Sequence, residues 1–266
     1  MKVMLIGYGA MARAVAAHFD SRGGENPLAG FLVLPEEADQ VRADLPQPLP
    51  VITELAEIAG IDPDLVVECA GHQAVRQYGE AVLNQGRDLA VVSIGCLADA
   101  RLFEQLKTAA KNNGRRLLLP TGAVAGLDGL QAARAAGLDK VVYTGRKPPA
   151  AWRGTAAEEI LDLDALTEAQ TFFTGNAREA ALAYPQNANV AATVAIAGLG
   201  FEKTEARLIA DPTVGGNIHH IEAVGAAGRF EITLEGRPSA LNPKTSMLAG
   251  YSVIRLIEDQ SATVVI

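Results

Sequence analysis

The chain has 266 residues, 49% of them apolar and 20% charged, enough for a sizeable core and unlike a disordered polymer. Its formal charge of -8 and pI near 5.1 argue against a nucleic-acid surface or a polybasic membrane patch. Two cysteines, Cys69 and Cys96, exclude a disulfide framework and a Cys-rich zinc site, and His18, His72, His219 and His220 form a short list for acid–base chemistry.

The apolar run that begins at Val3 is interrupted by Gly7, too early for a signal-peptide core, and no later stretch reaches the length of a membrane span. A cytoplasmic protein is expected. Through residue 120, short apolar runs (2–6, 30–34, 64–68, 89–94, 116–119) alternate with helical spacing (10–19, 74–84, 100–112). Unbroken runs of this length suit strands buried on both faces, and the alternation predicts right-handed βαβ crossovers in a Rossmann-type doubly wound parallel sheet. After Pro120 the pattern changes. A Gly-rich segment and a helix over 127–136 precede β-rich runs at 140–146, 206–210, 218–224 and 229–234, which predict an inserted α/β domain with a mixed sheet. A helix over 177–199, broken near Pro185, packs on it. Asn242-Pro243-Lys244 opens a last helix that runs to Glu258. The expected division is a dinucleotide-binding domain at 1–120, completed by a C-terminal helix within 240–266, and a catalytic and dimerisation domain at 121–239.

Gly7-Tyr8-Gly9-Ala10-Met11-Ala12 closes the first strand and opens the first helix, the G-x-G-x-x-A form of the dinucleotide fingerprint. Gly7 permits the turn, Gly9 lets a pyrophosphate approach, and the N–H groups at Ala10 and Met11 begin a helix terminus that favours anions. The acid expected at the end of the second strand is displaced: Leu34-Pro35 stands there, with Glu36 and Glu37 beyond, so NAD and NADP both stay open. Cys69 and Cys96 read as small buried hydrophobes, and His72 as a helix cap or a cofactor neighbour.

His219 and His220 begin a predicted strand, so they point to opposite faces and make a poor chelate; no metal site is expected. Either is suited to proton transfer near neutral pH, and spacing alone does not choose between them. Lys244 and Thr245, at a helix start, form a candidate anion receptor for a carboxylate or a phosphate, with ordinary capping as an equal reading.

Taken together, Gly7–Ala12, Gly122-Ala123-Val124-Ala125-Gly126-Leu127-Asp128, the run from Pro185 to Thr193, Asn217-Ile218-His219 and Asn242-Pro243-Lys244-Thr245-Ser246 resemble the L-aspartate dehydrogenase family, in the family's order and nearly end to end. The resemblance implies oxidation of L-aspartate with NAD or NADP to iminoaspartate, which hydrolyses to oxaloacetate and ammonia and feeds NAD biosynthesis. It implies His219 as the catalytic histidine, Ala123 and Asn189 as dinucleotide contacts, and a homodimer. The rivals are a dihydrodipicolinate-reductase-like or homoserine-dehydrogenase-like oxidoreductase, and a non-catalytic dinucleotide-sensing regulator.

Overall fold

The computed structural model describes residues 1–22, 24–185, 187–239 and 246–265. It divides into two compact units, neither of them one continuous stretch. The first comprises Met1–Ser93, Ala100–Pro120 and Gly250–Ile266; the second comprises Ile94–Asp99 and Thr121–Ala249. Residues 94–99 therefore join the second unit, and the C-terminal return to the first begins at Gly250.

In the first unit the order is β1 (Val3–Ile6), α1 (Ala10–Ser21), β2 (Leu28–Leu32), α2 (Ala38–Asp44), β3 (Val51–Ile52), α3 (Ile58–Ile61), β4 (Leu65–Glu68), α4 (His72–Asn84), β5 (Asp88–Val91), α5 (Ala100–Asn112) and β6 (Leu117–Leu118). All strands pair in parallel, in the spatial order β3-β2-β1-β4-β5-β6 of a doubly wound nucleotide fold. β1, β4 and β5 are buried along their whole length, which is why their sequences lack polar alternation. Helix α1 buries Ala12, Val15, Ala16 and Phe19, the i, i+3, i+4, i+7 stripe of an amphipathic helix.

The second unit contains α6 (Leu127–Ala136), β7 (Leu138–Lys147), β8 (Gln170–Asn176), α7 (Ala177–Ala183), α8 (Asn189–Ala197), β9 (Thr204–Ala210), β10 (Ile218–Gly225) and β11 (Gly228–Glu235). Its sheet runs β11-β10-β7-β9-β8, with β7 and β9 parallel and the other pairs antiparallel, a mixed sheet as expected. The predicted helix over 177–199 is two helices, because the chain leaves helical geometry at Tyr184, ahead of Pro185. The edge strand β8 and the two-residue β3 were not anticipated. β8 is half-exposed and polar, and β3 is too short to leave a pattern.

The last helix, α9 (Met247–Asp259), begins later than predicted; residues 240–245 lie outside those described. From Gly250 onward it belongs to the first unit, where Val253, Ile254 and Ile257 enter the core beside Val15, Phe19 and Leu28. No helix among the described residues is long and apolar enough to cross a membrane.

Candidate active site

At the carboxyl ends of β1, β2 and β4 a cavity of about 340 Å³ is walled by Gly7, Gly9, Leu34, Glu37, Ala70 and Gln73, among others. Gly7 adopts φ +86° and donates to Leu32 O at 2.7 Å; a Cβ there would sit 2.8 Å from that of Ala70. Gly9 caps α1 without a side-chain hydrogen bond, and a Cβ on it would meet nothing within 4 Å. That is a cradle open to a ligand, in front of the first-turn N–H groups at Ala10 and Met11. These residues fit a dinucleotide pyrophosphate. Glu37 is the acid on the cavity wall, and its carboxylate accepts the Leu34 N–H at 3.3 Å.

Behind the cradle, the fully buried Glu68 accepts hydrogen bonds from Ala70 N (2.8 Å), Gly71 N (2.6 Å), Ser93 N (3.0 Å) and Ser93 Oγ (2.9 Å). One carboxylate thus holds the ends of β4 and β5 together. Cys69, expected to be buried, is half-buried on the cavity wall, where desolvation and the neighbouring Glu68 push its thiol well above its ordinary value. His72 is the first residue of α4.

In the second unit, Ala123 is buried in the turn before α6, between Gly122 (φ +68°) and Gly126 (φ +72°). A Cβ at Gly126 would run into Ile232 Cδ1. Asn189 opens α8, and its Oδ1 accepts the Gly95 N–H at 2.8 Å, holding residues 94–99 to this unit. Arg178 also donates to Ala98 O.

The two histidines of β10 separate as alternation demands. His219 is buried, 2% exposed, while His220 turns to the other face and bonds Thr233 Oγ1 through Nδ1 at 2.9 Å. Opposite His219 in the antiparallel register stands Gly145, flanked on the same face of β7 by Tyr143 and Lys147. The Tyr143 hydroxyl lies 2.9 Å from His219 Nδ1, whereas the buried Nε2 has no hydrogen-bond partner among the described residues. Burial first, and the charge of Lys147 second, lower the imidazole from 6.5 to about 3, so His219 is neutral at physiological pH. Burial alone holds the Tyr143 phenol far above its usual range.

Lys147, 5% exposed, donates from Nζ to Asn187 O and to Asn187 Oδ1, both at 3.0 Å, and sits 5.1 Å from the ring centre of Trp152. Desolvation lowers its amine from 10.5 to about 8. Tyr143, Gly145 and Lys147 escaped sequence reasoning, and Asn187 entered it only as part of the run from Pro185 to Thr193. The signal was the period-two run Tyr143-x-Gly145-x-Lys147, which acquires meaning only when β7 is paired with β10. Nearby, a cavity of about 330 Å³ is lined by Pro148, Gly216, Asn217, Arg237 and Ser246, among others. Lys244 and Thr245 lie outside the described residues. Among the described residues, no three His, Cys, Asp or Glu side chains are grouped to hold a metal.

Residues 128–260 match the family model described as the C-terminal part of aspartate dehydrogenase, and residues 7–120 match the NAD-binding domain of homoserine dehydrogenase. The chain is 46% identical over 270 residues to an L-aspartate dehydrogenase of Ralstonia nicotianae, covering 99% of each. It is likewise 46% identical over 261 residues to one of Pseudomonas aeruginosa, covering 97% of this chain and 96% of that protein. Among solved structures it resembles aspartate dehydrogenase from Thermotoga maritima, with a TM-score of 0.77 and 27% identity over 100% of this chain and 99% of that one.

Proposed function

The chain belongs to the L-aspartate dehydrogenase family, and from that premise we propose that it oxidises L-aspartate to iminoaspartate, which hydrolyses to oxaloacetate and ammonia. NAD or NADP, when bound, supplies the hydride acceptor. Gly7, Gly9, Ala10 and Met11 hold the pyrophosphate, and Ala123 and Asn189 contribute further cofactor contacts. His219 is the catalytic histidine. Lys244 and Thr245, or Arg237 on the cavity wall, answer the substrate's carboxylates. The enzyme acts as a cytoplasmic homodimer whose iminoaspartate feeds NAD biosynthesis.

The observation that supports this reading best is the buried His219, neutral, held at Nδ1 by Tyr143 and, among the described residues, unpartnered at Nε2. A buried polar atom without a partner costs about 1–3 kcal/mol. Such an atom is tolerated where a ligand completes it. The family's reaction provides one in the substrate or the water that attacks the imine.

The test is an assay run in both directions: L-aspartate with NAD and with NADP, then oxaloacetate with ammonia and each reduced cofactor. Reduced dinucleotide should appear with L-aspartate and not with homoserine. Turnover of homoserine alone, or of neither compound, overturns the proposal.

A further inference from the structure

Oxidation of an amino acid needs its nitrogen unprotonated when hydride departs, so some group must first remove a proton from the α-ammonium. His219 is poorly placed for that duty. The Tyr143 hydroxyl has one hydrogen-bond partner among the described residues, His219 Nδ1. A buried phenol donates where an acceptor is within reach, and that leaves the proton of the neutral ring on Nε2. The free edge of His219 is then an N–H donor.

Lys147 presents the opposite edge. Its Nζ meets two acceptors, the backbone and side-chain oxygens of Asn187. A neutral amine has two N–H donors and one lone pair, so the two acceptors fix both hydrogens and leave the lone pair uncommitted. An ammonium in the same place carries a third N–H for which the described residues offer no oxygen or nitrogen acceptor, only the face of the Trp152 ring. Around Lys147, among the described residues, stand Tyr143 on its own strand, His219 on β10, the Trp152 ring, Asn187 and the apolar Ala210 paired with it on β9; the next residue, the buried Asp211, donates its N–H to Lys147 O but pairs its carboxylate with Arg146. Among the described residues no carboxylate forms an ion pair with it to hold the charged form.

Building on the reading of the chain as an aspartate-oxidising enzyme, we infer that Lys147 is the general base that deprotonates the substrate's α-ammonium, with His219 acting as a neutral hydrogen-bond donor beside it. One N–H bond of the ammonium breaks and its proton bonds to Nζ of Lys147. The freed lone pair on the substrate nitrogen closes the C=N bond as Cα–H leaves with its electron pair, the hydride that the oxidised dinucleotide takes up. Lys147 then returns its proton to water. The lowered amine value, about 8, leaves a useful fraction of free base near neutrality.

Trp152 is the only tryptophan in the chain, and Lys147 lies over its ring, so the base has a built-in reporter that needs no cofactor. Titration of the ligand-free protein should show a fluorescence transition with midpoint near 8, absent in Lys147→Met. In kinetics, kcat/KM should fall below a matching pH. Lys147→Met should lose on the order of 10²–10⁴ in kcat. Lys147→Arg should be equally slow, because a guanidinium does not give up its proton. A transition that survives in Lys147→Met, a wild-type protein without one, or recovery of turnover in Lys147→Arg overturns the assignment. Wild-type turnover of L-aspartate without the acid limb overturns the base alone. Failure of the wild type to turn over L-aspartate overturns the functional reading and the base with it, whatever the fluorescence does. The emission maximum of Trp152 reports whether each variant is folded.

Discussion

Tyr143 and His219 lie on adjacent strands with their rings inclined by 21° and their centres 6.0 Å apart, joined by one hydrogen bond through Nδ1. What permits this is the residue between them. A Cβ at Gly145 would fall 2.6 Å from the Tyr143 hydroxyl oxygen, so any side chain there displaces the phenol from the imidazole.

Tyr143→Phe should therefore cost about 1–3 kcal/mol of stability, the penalty of a buried nitrogen left without a partner. It should also lower kcat, since the ring loses the contact that sets its tautomer. Gly145→Ala should reproduce both effects without removing the hydroxyl. Urea melts and steady-state rates measure them, and full activity in both variants would show that the pair has no catalytic weight.

Acid should destabilise the protein through His219. The unfolded imidazole takes up a proton below pH 6.5, the folded one only below about 3. The unfolded state binds more protons between those values, so stability is whole above pH 6.5 and falls by up to about 5 kcal/mol as pH drops towards 3. His219→Asn should flatten that slope in denaturation curves taken from pH 7 to 4.

Lys147 should weaken the fold that carries it. An amine lowered from 10.5 to about 8 disfavours the folded state by about 3 kcal/mol below pH 8, and the cost fades as pH rises from 8 to 10.5. Lys147→Met should accordingly raise Tm at pH 7, with a smaller gain at pH 10. Calorimetry at the two pH values checks both sign and trend.

Glu68→Gln replaces one acceptor oxygen by a donor facing N–H groups it cannot accept. Loss of about 2–4 kcal/mol is expected for so buried a group. The loops at Ala70–Gly71 and Ser93 should loosen, weakening dinucleotide binding by isothermal titration while His219 chemistry is left intact.

Glu37 should set the cofactor preference. It is the charged residue on the wall of the dinucleotide cavity, and a second negative charge on the ribose would face it. NAD should be preferred over NADP by about tenfold in kcat/KM, roughly 1.4 kcal/mol, and Glu37→Gln should narrow the ratio. Equal use of both by the wild type would contradict this.

Much of this architecture was legible in the residue order. The fingerprint at Gly7–Ala12 fixes where α1 begins, and the bounds of α5 and α6 coincide with their predicted 100–112 and 127–136. Alternation alone separates His219 from His220. The rest depends on pairings between residues far apart in the chain. Lys147 looks like any strand-end lysine until β10 and Asn187 close around it. Residues 94–99 read only as the end of a strand and the turn after it, yet Asn189, almost a hundred positions later, accepts the Gly95 N–H, and Arg178 donates to Ala98 O.

The return of residues from Gly250 onward to the first unit bears on how the chain is made. Synthesis delivers β1 to β6 first, but Val253, Ile254 and Ile257 belong to the same core and follow only after β11 of the second unit. The nucleotide-binding half therefore waits, with apolar surface uncovered, until those three residues are made. The inserted half has all its strands well before then, so the later-coded half can mature first.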